Sequence, residues 1–222
     1  MFWFRERFSP AELAFTDGSS DLAPPDAGLR EIPSAFNVER VAIMRQVHGA
    51  DVAVADPDVV PTADALILDR PGVAAVVRVA DCVPIVLADA VAPIGAVVHA
   101  GRVGMAAGVV AAAVESLRER GAAQLHAWVG PHACGRCYEV PEDMAQEVDA
   151  LVPGTASTTS WGTHSLDLGA GVAAQLRALD VPATTVGGCT IEDERFHSYR
   201  RQGEAAGRFG AVLALREPGA AA

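Results

Sequence analysis

The sequence predicts a single domain of mixed β-sheets flanked by helices, and three observations carry that reading. Short Val/Ile/Ala-rich runs closed by Gly, Pro or Asp recur between Val41 and Ala100, as strands do. Longer segments with apolar residues three and four apart follow, the period of a helix with one buried face. Half of the 222 residues are apolar and 20% are charged, the proportions of a packed chain with an ordinary core. No internal repeat and no linker divides the sequence, so residues 1–222 are read as one domain.

Taken in order, residues 1–40 are expected to form a short irregular segment. SPAELAFTDGSSDLAPPDAGLREIPSAF is rich in Pro, Gly, Ser and Asp, which favours turns and extended pieces. From Val41 the runs VAIMRQV, DVAVA, ADALIL, VAAVVRVA, PIVLA and IGAVVHA read as strands. Several are apolar on both faces, which places them mid-sheet or between layers. Met105 to Arg120 reads as one helix: Met105, Val109, Ala113 and Leu117 repeat every fourth residue, and Gly121 is a natural stop. QLHAWV (124–129) is a strand, GPHACGRC a loop, and Pro141 to Leu151 a short helix with proline at its start. Leu168 to Leu179 is a further helix, RFGAVLALR a final strand, and the small-residue terminus is expected to fray.

Charge and targeting exclude several classes. A formal charge of −11 argues against a nucleic-acid backbone or an anionic membrane surface as partner. MFWFRERFSP is broken by Arg5, Glu6 and Arg7, so it lacks the apolar core of a signal peptide, and no apolar run approaches a membrane span. A cytoplasmic location is expected. The four cysteines then read as thiols or metal ligands rather than a disulfide framework.

Three clusters could carry chemistry. In the first, Cys82 (ADCVPI) and His99 (IGAVVHA) each follow a β-forming run, and His48 (RQVHGADV) lies upstream. Two imidazoles and a thiolate suffice for a catalytic zinc ion if the fold gathers them at strand ends. Pro84 is expected to mark a bend after Cys82. Arg102, in the glycine turn after His99, would add a planar donor fork at a helix start suited to an anion. The plainer alternative is a small buried cysteine and hydrogen-bonded structural histidines, and the spacing fits no zinc ribbon or finger.

The second cluster is His132-Ala-Cys134-Gly-Arg-Cys137 with Cys189 downstream, either a metal or redox site or ordinary loop thiols. In the third, CTIEDERFHSYRR, Arg195, Arg200 and Arg201 alternate with Phe196 and Tyr199, a solvated surface or a wall for an anionic, aromatic ligand. No histidine is followed two residues later by Glu, which removes the cytidine-type zinc deaminases. No G-x-x-x-x-G-K-[ST], G-x-G-x-x-G or G-x-S-x-G motif is present in the sequence, which removes the standard nucleotide and serine-hydrolase signals.

RQVHGADV, ADALILDRPGVA, ADCVPIVLAD, AVVHAGRVGMAAGVV, VGPHACGRCYEV and CTIEDERFHSYRR together, in this order, resemble the YfiH/laccase-domain family, over roughly residues 41–215. Its members are called multicopper polyphenol oxidases in older naming and purine nucleoside phosphorylases in newer naming. The resemblance implies an α+β fold with mixed sheets packed between helices. It also implies a surface zinc site on His48, Cys82 and His99, which would be both the metal ligands and the catalytic residues; copper is the alternative ion. The implied reactions are phosphorolysis of adenosine, inosine, guanosine or methylthioadenosine and hydrolytic deamination of adenosine. Gln46, Arg102 and Arg200 are the candidates for contacting nucleoside and phosphate.

Copper polyphenol oxidation and editing of a peptidoglycan precursor are the alternative activities. A laccase cluster needs more histidines than the six present, arranged in H-x-H motifs that the sequence lacks. The chain departs from the family pattern in three places: HAGRVG replaces HAGWRG, CGRCYEV replaces GPCCYEV, and an SLNLG segment with its following helix has no counterpart between Thr16 and Phe36. Oligomeric state, monomer or weak homodimer, is open, as is the role of Cys134, Cys137 and Cys189.

Overall fold

Strands that are apolar on both faces need cover on both sides, and two face-to-face sheets with helices outside them supply it. The computed structural model describes residues 1–23 and 28–216. The chain begins with β1 (Phe2–Phe8), β2 (Ala11–Thr16), α1 (Ile32–Phe36), β3 (Arg40–Ala42), β4 (Val52–Val54), β5 (Ala65–Leu68) and β6 (Val73–Val79). It continues through β7 (Val83–Asp89), β8 (Gly95–Ala100), α2 (Arg102–Ala106), α3 (Val109–Glu119) and β9 (Leu125–Val129). The last third holds α4 (Glu142–Leu151), β10 (Ala156–Thr158), β11 (His164–Leu166), α5 (Leu168–Ala178), β12 (Ala183–Thr185), α6 (Tyr199–Gln202) and β13 (Phe209–Leu215).

One sheet has the order β1-β2-β13-β6-β3, the other β12-β9-β7-β8-β5-β4, and β10 pairs with β11 alone. The period-two alternation of each strand assigns its side chains to layers. Val73, Ala75, Val77 and Val79 of β6 and Phe209, Ala211 and Leu213 of β13 meet Val86, Val97 and Trp128 of the second sheet. Ala74, Val76 and Val212 turn the other way, onto Ile32 and Phe36 of α1. On the far side, Ile85, Leu87 and Val98 pack against Val110, Val114 and Leu117 of α3 and Val172 and Leu176 of α5. The order of layers is therefore helix, sheet, sheet, helices, an α+β fold of mixed strands as expected.

Several expectations are corrected. Residues 1–40 are not irregular throughout: β1 and β2 form an antiparallel hairpin, and β2 is fully buried against β13. Glu12 hid this strand by interrupting its apolar pattern. Its carboxylate is 2% exposed and held by Arg5 (Nε to Oε1, 2.8 Å), with Arg216 Nε 3.5 Å from Oε2. The helical turn Leu29–Glu31 and α1 occupy part of the stretch between Thr16 and Phe36 where no helix was expected. The helix read over 105–120 is two helices, interrupted at Ala107 and Gly108, where Gly108 takes φ +90°. A stripe at helical spacing does not register a break that keeps both stripes on the core. Pro84 makes no bend but lies second in β7, opposite His99, where its carbonyl still accepts the Gly130 N–H at 2.9 Å. VAIMRQV is a strand only to Ala42. The terminus expected to fray lies outside the described residues. No helix among the described residues is long and apolar enough to cross a membrane.

Candidate functional site

His48, Cys82 and His99 come from three places in the fold and converge. His99 is the penultimate residue of β8, Cys82 fills the tight connection from β6 to β7, and His48 sits on the loop between β3 and β4. Their ligand atoms all lie within 4.8 Å of one another. Cys82 Sγ is 3.7 Å from His48 Nε2, close to the roughly 3.6 Å that a tetrahedral zinc imposes between a thiolate and an imidazole ligand. The rings of His48 and His99 meet edge to face, 4.7 Å between centroids. His48 is exposed, Cys82 half-buried and His99 buried, so the cluster opens to one side. Geometry and donor chemistry both fit a metal ion, with a coordination position facing outward.

Asp64 builds this cluster, and sequence reasoning passed over it. Fully buried immediately before β5, its carboxylate accepts the backbone N–H groups of Val47 (3.2 Å), His48 (3.0 Å) and Gly49 (2.7 Å). Those bonds hold His48 at φ +61°, a left-handed conformation that costs a non-glycine residue about 1 kcal/mol or more. Asp64 also accepts from His99 Nδ1 at 2.7 Å, which turns Nε2 toward the cluster, the arrangement by which a carboxylate usually supports a metal-binding histidine. One buried acid in an otherwise apolar run, ADALIL, was the available signal.

Charge follows from this packing. Burial alone would raise the Cys82 thiol, but His48 and His99 outweigh it and bring its pKa down to about 6. Burial alone would lower His99, and Asp64 and Cys82 outweigh it, raising the imidazole to about 9. The thiolate is the form that ligates a soft cation. Glycines make the approach feasible: a Cβ on Gly101 would lie 2.5 Å from His48 Cδ2, and one on Gly104 2.6 Å from the Gly49 carbonyl. This close fit, rather than an anion cradle, is the use of the turn after His99.

The cluster lies in the wall of a cavity of about 640 Å³. Arg45, Arg78, Arg200 and Arg208 share that wall with Tyr138 and Tyr199, a local concentration of positive charge in an acidic chain. Asp81 joins the two sides. Itself at φ +91°, it places Cys82 while accepting from Thr190 Oγ1 (2.6 Å) and the Arg200 backbone N–H (2.8 Å).

The remaining sequence-predicted residues divide. Arg200 lines the cavity, its guanidinium 4.5 Å from the Tyr138 ring centroid and bonded to the Glu139 carbonyl at 2.8 Å. Gln46 also lines it, but its amide is paired with the Arg78 backbone in both directions, at 2.7 and 3.0 Å. Arg102 begins the five-residue α2 and is not among the residues lining the cavity. Arg201 is structural, its guanidinium bonded to the carbonyls of Thr190, Ile191, Asp193 and Phe196, and Arg195 pairs with Asp193 and stacks on Trp3. The His132 side chain is not part of the group that gathers Cys134, Cys137 and Cys189; its Nδ1 bonds to the Gly130 carbonyl.

A family model described as multi-copper polyphenol oxidoreductase laccase matches residues 27–216. The chain belongs to this laccase-domain family. Among relatives of the laccase-domain chain, a purine nucleoside phosphorylase of Streptomyces coelicolor is 50% identical over 169 residues, 73% of this chain and 70% of its own. One from Corynebacterium glutamicum is 41% identical over 187 residues, 81% and 76% of the two chains. The crystal structure of YlmD from Geobacillus stearothermophilus superposes with a TM-score of 0.84 at 25% identity, covering 97% of this laccase-domain chain and 99% of that one.

Proposed function

We propose that this protein is a zinc-dependent purine nucleoside phosphorylase that also deaminates adenosine. The observation that carries the reading is the meeting, in one cavity, of a His48–Cys82–His99 ligand set with four arginines and two tyrosines. Relatives named purine nucleoside phosphorylase, 41 to 50% identical, support the substrate class. Zinc is favoured over copper because a thiolate with two imidazoles and one open position is an ordinary catalytic zinc shell. The same donor set falls short of the several-histidine copper cluster a laccase uses.

The division of labour follows from the side chains. Arg200 and its neighbouring guanidiniums would hold a phosphate dianion by charge-assisted, planar hydrogen bonds. Tyr138 and Tyr199 offer faces for a purine ring, and the guanidinium on Tyr138 brings the anion and base subsites side by side. Phosphorolysis needs little more from a protein than this alignment: a phosphate oxygen attacks C1′, and the N-glycosidic electron pair leaves with the base. When bound, zinc supplies a Lewis acid at the cavity wall able to activate water, the chemistry that deamination requires. Asp64 keeps His48 and His99 in place for it.

Incubating the purified protein with adenosine, inosine, guanosine or methylthioadenosine, with and without phosphate, tests the reading. Free base and sugar 1-phosphate should appear only with phosphate, and ammonia only from adenosine. Equal release of base in both conditions would identify a hydrolase, and no turnover of any nucleoside would remove the proposal.

A further inference from the structure

Outside the cavity, a second group of ligand-type side chains converges. Cys134, Cys137, Cys189 and Glu192 come from two loops, and their sulfur and carboxylate atoms all lie within 4.8 Å of one another. Cys134 and Cys137 flank a tight turn in which the Cys134 carbonyl accepts the N–H groups of Cys137 (2.9 Å) and Tyr138 (3.0 Å). That turn points both thiols the same way, as in the C-x-x-C half of a structural zinc site. Cys189 enters from the other loop, registered by a β-bridge to His132 and by the Thr190 N–H bonded to the His132 carbonyl at 3.1 Å. Its sulfur accepts the Cys134 backbone N–H at 3.5 Å. Glu192 completes the group, with Cys137 Sγ 3.2 Å from Oε1 and Arg136 3.7 Å from Oε2.

The geometry points to a second zinc site, held by Cys134, Cys137, Cys189 and Glu192, that ties the loop after β9 to the loop before α6. Three sulfurs and one carboxylate oxygen are a closed tetrahedral shell, and closed shells are structural rather than catalytic. A tetrahedral zinc would set the sulfurs about 3.8 Å apart, inside the 4.8 Å within which the group already lies. A disulfide would use two sulfurs and leave the third thiol and the carboxylate gathered for nothing. The ion would also brace the far wall of the cavity. Tyr138 follows Cys137 directly, and Thr190, next to Cys189, holds Asp81.

The test counts ions with no nucleoside present, so its outcome is separate from that of the phosphorylase reading. Wild type purified without chelators should carry about two zinc ions per chain, Cys82→Ala about one, and Cys82→Ala combined with Cys189→Ser none. Cobalt exchanged into the folded Cys82→Ala protein should show an intense thiolate-to-cobalt charge-transfer band, which keeps the test decisive if the double variant does not fold. A Cys82→Ala protein that is folded yet retains no ion and shows no such band would overturn the proposal. So would an ion that persists unchanged in the double variant, or a Cys134–Cys137 disulfide found by mass spectrometry in the natively purified protein.

Discussion

Asp64 is the residue on which the candidate metal-binding cluster depends most, because one buried carboxylate sets both the backbone of His48 and the ring of His99. Replacing it with Asn keeps the volume but puts an amide N–H where three backbone donors and an imidazole N–H converge. Asp64→Asn should therefore weaken zinc binding by roughly 10- to 100-fold, the usual effect of losing a ligand's supporting partner, as measured by competition with a chelating dye. Unchanged affinity would show that His48 and His99 hold their positions without it. Arg200 is a different case. Its side chain touches Tyr138 and Glu139 at the cavity wall, so Arg200→Ala should raise the KM for phosphate about tenfold or more while the ion content stays constant. Loss of zinc in that variant would instead assign Arg200 to the metal cluster, by way of Asp81.

At the scale of elements, two connections are held by specific groups. Asp89, at the end of β7 and 1% exposed, accepts four backbone N–H groups: Val91 (2.9 Å), Ala92 (2.7 Å), Ala123 (2.7 Å) and Gln124 (2.5 Å). Burial alone would raise its pKa, but the N–H groups outweigh burial and hold it below the ordinary carboxylate range. A folded-state pKa below the unfolded value of about 3.9 gives stability that is fully present above that pH and fades as pH falls through the folded value. Asp89→Asn should lower stability by about 2 kcal/mol at neutral pH, with the gap to wild type closing below about pH 4, in denaturant titrations at each pH. A gap that does not shrink at all as pH is lowered below about 4 would mean that shape and not charge is at stake. Between α2 and α3, Gly108 holds φ +90° with open space where a Cβ would sit, so Gly108→Ala should cost about 1 kcal/mol through backbone strain alone. An unchanged melting temperature would contradict that reading of the break.

For the molecule as a whole, legibility followed the strength of local patterns. β6, β7, β8, β9 and β13 were readable because both faces of each are apolar, and α4 and α5 because their stripes are unbroken. β2 was hidden by a buried ion pair, and β10, β11 and β12, three residues each, are too short to carry a period. His48, Cys82 and His99 were readable as a set only through the order of motifs, since residues so far apart in sequence meet only in the folded sheet. Asp64 and Asp81 stood in the same motifs, but an acid beside a strand does not announce which N–H groups it will meet. Arg102 illustrates the converse: proximity in sequence to His99 did not place it in the cavity. The arginines that do line the cavity come from the loop before His48, from β6, from α6 and from the residue just before β13.

One comparison decides whether His48, Cys82 and His99 form the working centre of a phosphorylase. Phosphate-dependent release of base from adenosine or inosine is measured for wild type and for Cys82→Ala at equal concentrations of folded protein. Wild type should give base and sugar 1-phosphate, and Cys82→Ala at least about 100-fold less, because its remaining imidazoles would hold the ion poorly. Phosphate-dependent product formed equally well by both proteins would contradict it.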